Sequence, residues 1–106
     1  MRKNELKSKV SAYLSDYFYY SSGYKNVNGG FAEYEIKQMD IIKNNDEIWI
    51  RVSGILKSGV DDMGNGCSVL YKNSTTEYVK YSNDMCSFID KANLEEIKEA
   101  IELKFD

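Results

Sequence analysis

The residue types that usually perform acid–base and metal chemistry are scarce in this 106-residue chain, and histidine is missing altogether. Histidine is the side chain whose ordinary pKa lies near neutral pH, and it is the commonest metal ligand. Its absence rules out Ser-His-Asp and Cys-His nucleophilic catalysis within one chain. Paired carboxylates could still exchange protons, but no Asp or Glu pair stands at a recognisable catalytic spacing. The sequence therefore predicts a protein that is not an enzyme.

Two cysteines, Cys67 and Cys86, are too few for a closed structural zinc site. They also make a poor disulfide framework for a domain of this size. Residues 1–20 lack the continuous apolar segment of a signal peptide, and no apolar run is long enough to cross a membrane. We therefore expect a cytoplasmic protein with reduced thiols, no structural metal and no cofactor.

An acidic, glycine-rich segment at residues 61–66 invites comparison with calcium-binding loops. On the EF-hand template started at Asp61, Met63 and Lys72 fall on ligand positions, and neither residue can serve there. The glycine pattern of a phosphate-binding loop is also incomplete. We interpret the segment as a solvated loop.

Aromatic and acidic residues are the features that remain for recognition. Nine tyrosines are present, and tyrosine is enriched at protein interfaces. Tyr19 falls outside the apolar arc of its helix and Tyr24 follows it, so we expect both to face water or a partner. Glu96 and Glu99 lie on an acidic flank that could dock on a basic partner. The net charge of −3 makes a nucleic-acid partner unfavourable.

Two helices are predicted from apolar residues at three- and four-residue spacing. The first occupies about residues 6–20, with Asn4 as its N-cap and Gly23 in the left-handed conformation after its end. The second begins at Asn93, and Glu96 completes a capping box. Its apolar stripe is Leu94, Ile97, Ile101 and Phe105.

Four strands are predicted between the helices. They cover residues 31–43, 47–57, 67–72 and 75–81. In the first, the apolar phase shifts near Lys37 and Gln38, which predicts a bulge. Residues 44–46 form a hairpin turn, residues 58–66 a loop, and Asn73 with Ser74 a second turn. Residues 82–92 fit either a loop or a brief helical turn.

These elements predict a single α+β domain over residues 1–106, a four-stranded antiparallel meander flanked by an N-terminal and a C-terminal helix in the order α-β-β-β-β-α. The second strand carries apolar residues on both faces, with Ile50 on one and Trp49 and Ile55 on the other. Both faces must be covered, either by helices on opposite sides or by a second chain. The narrow stripe of the last helix favours the second chain, a homodimer anchored by Trp49.

The function predicted by exclusion is a small protein-binding module, namely an inhibitor, immunity factor or accessory factor. The many residues with A/T-rich codons indicate a bacterial or phage protein. Its partner-binding residues are predicted to be Tyr19, Tyr24, Trp49, Ile55, Glu96 and Glu99. The alternative is a small-ligand-binding domain with its pocket between the sheet and the Tyr-rich N-terminal helix.

Overall fold

Two helices and four strands follow one another in a computed structural model that describes residues 2–62 and 67–106. The elements are α1 (Lys3–Ser21), a short 3-10 turn (Tyr24–Asn26), β1 (Gly30–Asn44), β2 (Glu47–Asp62), β3 (Cys67–Ser82), β4 (Met85–Phe88) and α2 (Lys91–Phe105). Each strand pairs antiparallel with the next, so the sheet order is β1-β2-β3-β4. The predicted α+β fold and its element order are confirmed.

Helix α1 covers one face of the sheet through residues spaced one turn apart. Leu6, Val10 and Leu14 are buried there against the central strands. Gly23 adopts a φ of +79° directly after the helix, as predicted. The prediction of Asn4 as N-cap is wrong, because the helix begins at Lys3 with Arg2 as its N-cap. Apolar spacing fixes the buried face of a helix more firmly than its first exposed residue.

A bulge interrupts β1 where the sequence predicted one. Ile36 pairs with Gly54 and Gln38 pairs with Ser53, which leaves Lys37 as the extra residue. The buried apolar positions are therefore even before the bulge, at Tyr34 and Ile36, and odd after it, at Met39. The predicted turn at residues 44–46 is also found.

The strands β2 and β3 are longer than predicted, and two loop assignments are wrong. Residues 58–62, predicted as loop, continue β2 and pair with residues 67–71. Asn73 and Ser74, predicted as a turn, lie inside β3 opposite Leu56 and Ile55. The local turn preference of these residues is overridden by continuous pairing with β2. The acidic-loop interpretation falls largely on residues 63–66, which lie outside the described residues.

The fourth strand, β4, lies in the segment that the sequence left unassigned. The next helix, α2, begins three residues before the predicted position, with Asp90 as its N-cap. Asn93, the predicted N-cap, lies inside the helix and donates a hydrogen bond from its side-chain amide to the Asp90 carboxylate (3.2 Å).

Helix α2 packs on the sheet face opposite α1. Its Ile97 and Ile101 are buried with Ile89, and Trp49 and Tyr78 pack against them. Phe105, the last residue of the predicted stripe, is exposed. Helices on opposite sides therefore cover both faces at this end of the sheet, and the end of α2 lies against Arg51 through Asp106.

Candidate functional site

The outer edge of β3 is the part of the sheet that most resembles a binding element. Strand β4 pairs only with Val79–Ser82 of β3. From Ser68 to Tyr78, no described strand pairs with the outer side of β3. Free strand edges present unpaired N–H and C=O groups to any extended chain that approaches.

Alternate residues of β3 direct their backbone groups outward. The N–H and C=O of Tyr34 bond to serines of α1 and therefore point away from β2. Tyr34 pairs with Leu56, so the N–H and C=O of Leu56 must point towards β3. Leu56 lies opposite Asn73, so the outward residues are the even-numbered ones. Tyr78, another even-numbered residue, also points its carbonyl outward, because that carbonyl accepts a hydrogen bond from the Ile89 N–H (3.3 Å). This outward row, as named here, is Ser68, Leu70, Lys72, Ser74 and Thr76.

An exposed apolar run occupies the same stretch of β3. Val69, Leu70 and Tyr71 are 47%, 55% and 55% exposed. The run lies close to its neighbouring strand at Gly59, where a Cβ atom would stand 1.8 Å from the Val69 carbonyl oxygen. Three consecutive exposed apolar residues cover both faces of the strand. They make an apolar surface beside the free backbone groups.

Charge along the outward row is confined to one lysine. Lys57, opposite Lys72 on β2, binds the Glu35 carboxylate at 2.9 Å. Together with Lys37, Lys57 lowers the pKa of Glu35 to about 2. No ion pair of Lys72 occurs among the residues that the structure describes. Lys72 therefore supplies the positive charge of this edge.

A polar cluster fixes β3 from the α1 face. The Tyr34 hydroxyl donates to the Thr75 carbonyl (3.2 Å), and the Thr75 hydroxyl donates to the Tyr34 oxygen (3.0 Å). Burial raises the pKa of Tyr34 and that of nearby Glu77. These contacts hold the middle of β3 in place, so the free edge is built on a rigid strand.

An ion cluster anchors α2 on the opposite face. Arg51 makes a two-pronged contact with Asp106 (2.9 and 2.8 Å) and also binds Asp40 at 2.7 Å. The Arg51 guanidinium lowers the pKa of Asp106, and the two carboxylates raise the pKa of Arg51. In the described parts of the chain, no group of His, Cys, Asp and Glu side chains is arranged to hold a metal ion. The contacts of Arg51 therefore serve to hold the end of α2 on the sheet.

The six predicted partner-binding residues are divided among four places. Trp49 and Glu96 line one cavity of about 240 Å³ under α2, where the Trp49 indole N–H donates to Glu47 (3.1 Å). Glu99 is exposed on α2. Ile55 is half-buried on the open part of that face, directly opposite Ser74 of the outward row.

The predicted tyrosines lie elsewhere, near the end of α1. Tyr19 and Tyr24 are half-buried, whereas Tyr20 and Tyr17 are more exposed. Tyr19, which was expected to face water or a partner, is thus less exposed than Tyr17 and Tyr20 of the same helix. Tyr19 follows Ser15 by one helical turn on the side of α1 that faces β1, because Ser15 hydrogen-bonds there.

Sequence reasoning missed the run Val69–Tyr71 as a recognition surface. A signal was present, because three apolar residues in succession interrupt the polar alternation expected of a half-solvated strand. What hid it was the turn assigned at Asn73 and Ser74, which made the strand too short to have a free edge.

Comparison with protein-family models, curated proteins and solved structures finds no match to this chain. Neither of the described helices is long and apolar enough to cross a membrane. The Cys86 thiol is half-buried, and burial raises its pKa. The function must therefore be argued from the geometry of the chain itself.

Proposed function

We propose that this chain is a protein-binding module that captures an extended segment of another protein as an added strand on β3. The observation that carries the proposal is the outward row, which offers main-chain donors and acceptors beside the exposed run Val69–Tyr71. In strand addition, main-chain hydrogen bonds supply affinity and alternate side-chain contacts supply specificity. An incoming segment with an acidic residue opposite Lys72 and apolar residues opposite Leu70 fits this edge.

A cytoplasmic inhibitor, immunity factor or accessory factor of bacterial or phage origin is the role that suits such a module. Non-enzymatic binding agrees with the absence of histidine from the whole sequence. The alternative, a small-ligand pocket between α1 and the sheet, receives less support, because Val10 and Leu14 are fully buried there against the strands.

Site-specific photocrosslinking tests the proposal. A benzophenone amino acid replaces Leu70 in the outward row, and in a matched control it replaces Tyr20, which is comparably exposed (59%) but lies on α1. Irradiation in cells that produce the chain should give a discrete adduct from position 70 and none from position 20. Mass spectrometry of the adduct should locate the crosslink in an extended segment of a different protein. No adduct at position 70, or equal adducts at both positions, would contradict the proposal.

A further inference from the structure

The free edge of β3 also suits one particular strand, which is β3 of a second copy. We propose that, when no other partner is present, two chains pair these edges antiparallel with Tyr71 of each copy on the two-fold axis. This inference rests on the proposed function, because it takes the same edge as the binding element and names the occupant that another partner must displace.

The register follows from the outward row and its ends. Each outward residue of one copy must pair with an outward residue of the other. All of these residues are even-numbered, so the two-fold axis has to pass through a residue and not between two. An axis at Lys72 would put two ammonium groups directly opposite each other, which is destabilising. An axis at Asn73 would bring Ser68 against Tyr78, whose carbonyl already accepts the Ile89 N–H.

An axis at Tyr71 avoids both conflicts. Ser68 then pairs with Ser74 of the second copy, Leu70 pairs with Lys72 of the second copy, and the two reciprocal pairs repeat these contacts. Each such pair exchanges two main-chain hydrogen bonds, giving roughly eight across the interface. An axis nearer the start of β3 would pair fewer residues of the outward row.

The apolar run then lies at the centre of the interface. Tyr71 meets Tyr71 of the second copy at a position without main-chain hydrogen bonds, where side chains approach most closely. Leu70 packs along the aliphatic stem of Lys72 of the second copy. Exposed aromatic residues at the centre of an interface are typical binding anchors. Self-pairing thus accounts for the exposure of Val69, Leu70 and Tyr71 together.

In the paired sheet, the outward row of each β3 is covered by the other copy. Joining two four-stranded sheets through β3 leaves β1 at both ends. That edge is already engaged at Tyr34 by serines of α1. Covered edges of this kind are how soluble proteins avoid uncontrolled strand pairing.

Disulfide trapping tests the register. In a background with Cys67→Ser and Cys86→Ser, the variants Val69→Cys and Asn73→Cys are oxidised separately and as a mixture. Residue 69 lies opposite residue 73 of the second copy only when the axis is at Tyr71, at a Cα separation within disulfide range. A linked dimer should form in the mixture and in neither variant alone. Linkage of Asn73→Cys with itself, or no linkage in the mixture, would overturn the proposed register.

Light scattering coupled to size exclusion tests the association itself. The wild type at tens of micromolar should have the mass of two chains. Tyr71→Glu should have the mass of one, because it places two carboxylates on the axis. Tyr20→Glu, the matched control on an equally exposed tyrosine, should retain the mass of two. A single-chain wild type, or a Tyr71→Glu variant that stays dimeric, would overturn the inference.

The two proposals fail in different ways. A monomeric wild type that still crosslinks to a different protein from position 70 would leave the proposed function standing and remove the dimer. A dimer broken by Tyr71→Glu, with position 70 crosslinking only to a second copy, would support the dimer and remove the proposed function.

Discussion

Among the described strands, β1 and β3 each present a long side that no other strand pairs with, and the two sides differ in what contacts them. On β1, the peptide of Tyr34 is engaged by α1, since Ser11 donates to its carbonyl (2.7 Å) and its N–H donates to Ser15 (2.8 Å). On β3, none of the described helices engages the outward row in this way. The backbone of β1 is therefore satisfied within the chain at Tyr34, whereas the outward row of β3 is available to another chain.

The two edges differ because different helices pack on the two faces of the sheet. Helix α1 lies along β1 and supplies both a buried apolar row and hydroxyl groups for the edge. Helix α2 ends against Arg51 and does not reach the residues that follow it on β2. Among the residues that the structure describes, no element is placed to cover the edge of β3 beyond β4.

The largest expected effect concerns the helix that closes β1. Leu14→Ala should lower the free energy of unfolding by about 2–5 kcal/mol, because Leu14 is fully buried and its removal leaves a cavity. Leu70→Ala on the open edge, measured at a dilution where single chains dominate, should change it by less than about 0.5 kcal/mol. Urea denaturation of both variants measures the contrast. Similar losses for the two leucines would mean that the edge of β3 is covered within one chain.

A smaller effect is expected from the hydroxyl that closes the edge of β1. Ser15→Ala leaves the part-buried N–H of Tyr34 without its acceptor and should cost about 1–3 kcal/mol. Ser8→Ala, on an exposed serine of the same helix, should stay within about 0.5 kcal/mol of the wild type. Thermal and urea unfolding of the pair provide the measurement. Equal stability of the two variants would show that this hydrogen bond contributes nothing to edge closure.

The smallest effect is a pH dependence of the free energy of unfolding, which has opposite signs for a glutamate on β1 and a glutamate on β3. The pKa of Glu35 on β1 is lowered from 4.5 to about 2, chiefly by Lys37 and then by Lys57, so its stabilisation is present above pH 4.5 and is lost as the pH falls towards 2. Burial raises the pKa of Glu77 on β3, so its penalty is absent at low pH and grows as the pH rises through its ordinary value.

Thermal melts of two glutamine variants separate these contributions. At pH 7, Glu35→Gln should melt slightly below the wild type and Glu77→Gln slightly above it. Both differences should shrink as the pH is lowered, that of Glu77→Gln first. A lower melting temperature for Glu77→Gln at pH 7 would show that the charged Glu77 carboxylate stabilises the fold despite its burial.

Periodicity in the sequence was sufficient to predict the faces of the elements. The buried row of α1, the bulge at Lys37 and the element order all follow from where apolar residues recur. The ends of the elements were not predictable in the same way. Asn4 and Asn93 have the residue type of an N-cap, but helix starts depend on backbone geometry that the type alone does not determine.

The candidate site was hidden because it depends on pairing between distant residues. Asn73 and Ser74 favour turns locally, and only their alignment with Leu56 and Ile55 of β2 makes them strand residues. Whether an edge is free depends further on how far β4 and α2 extend, which periodicity does not encode. Ile55 was nevertheless identified from its apolar position, and it lies beside the outward row.

The bulge in β1 also has a consequence for how this chain could change length during evolution. Because Ile36 and Gln38 pair with the consecutive residues Gly54 and Ser53, Lys37 is surplus to the ladder. A gene that lost the Lys37 codon would keep Tyr34 and Met39 on their present faces and would bring β1 back to regular alternation. A codon lost elsewhere in β1 would turn one part of the strand inside out. Lys37 is thus the site in β1 where a deletion disturbs the core least.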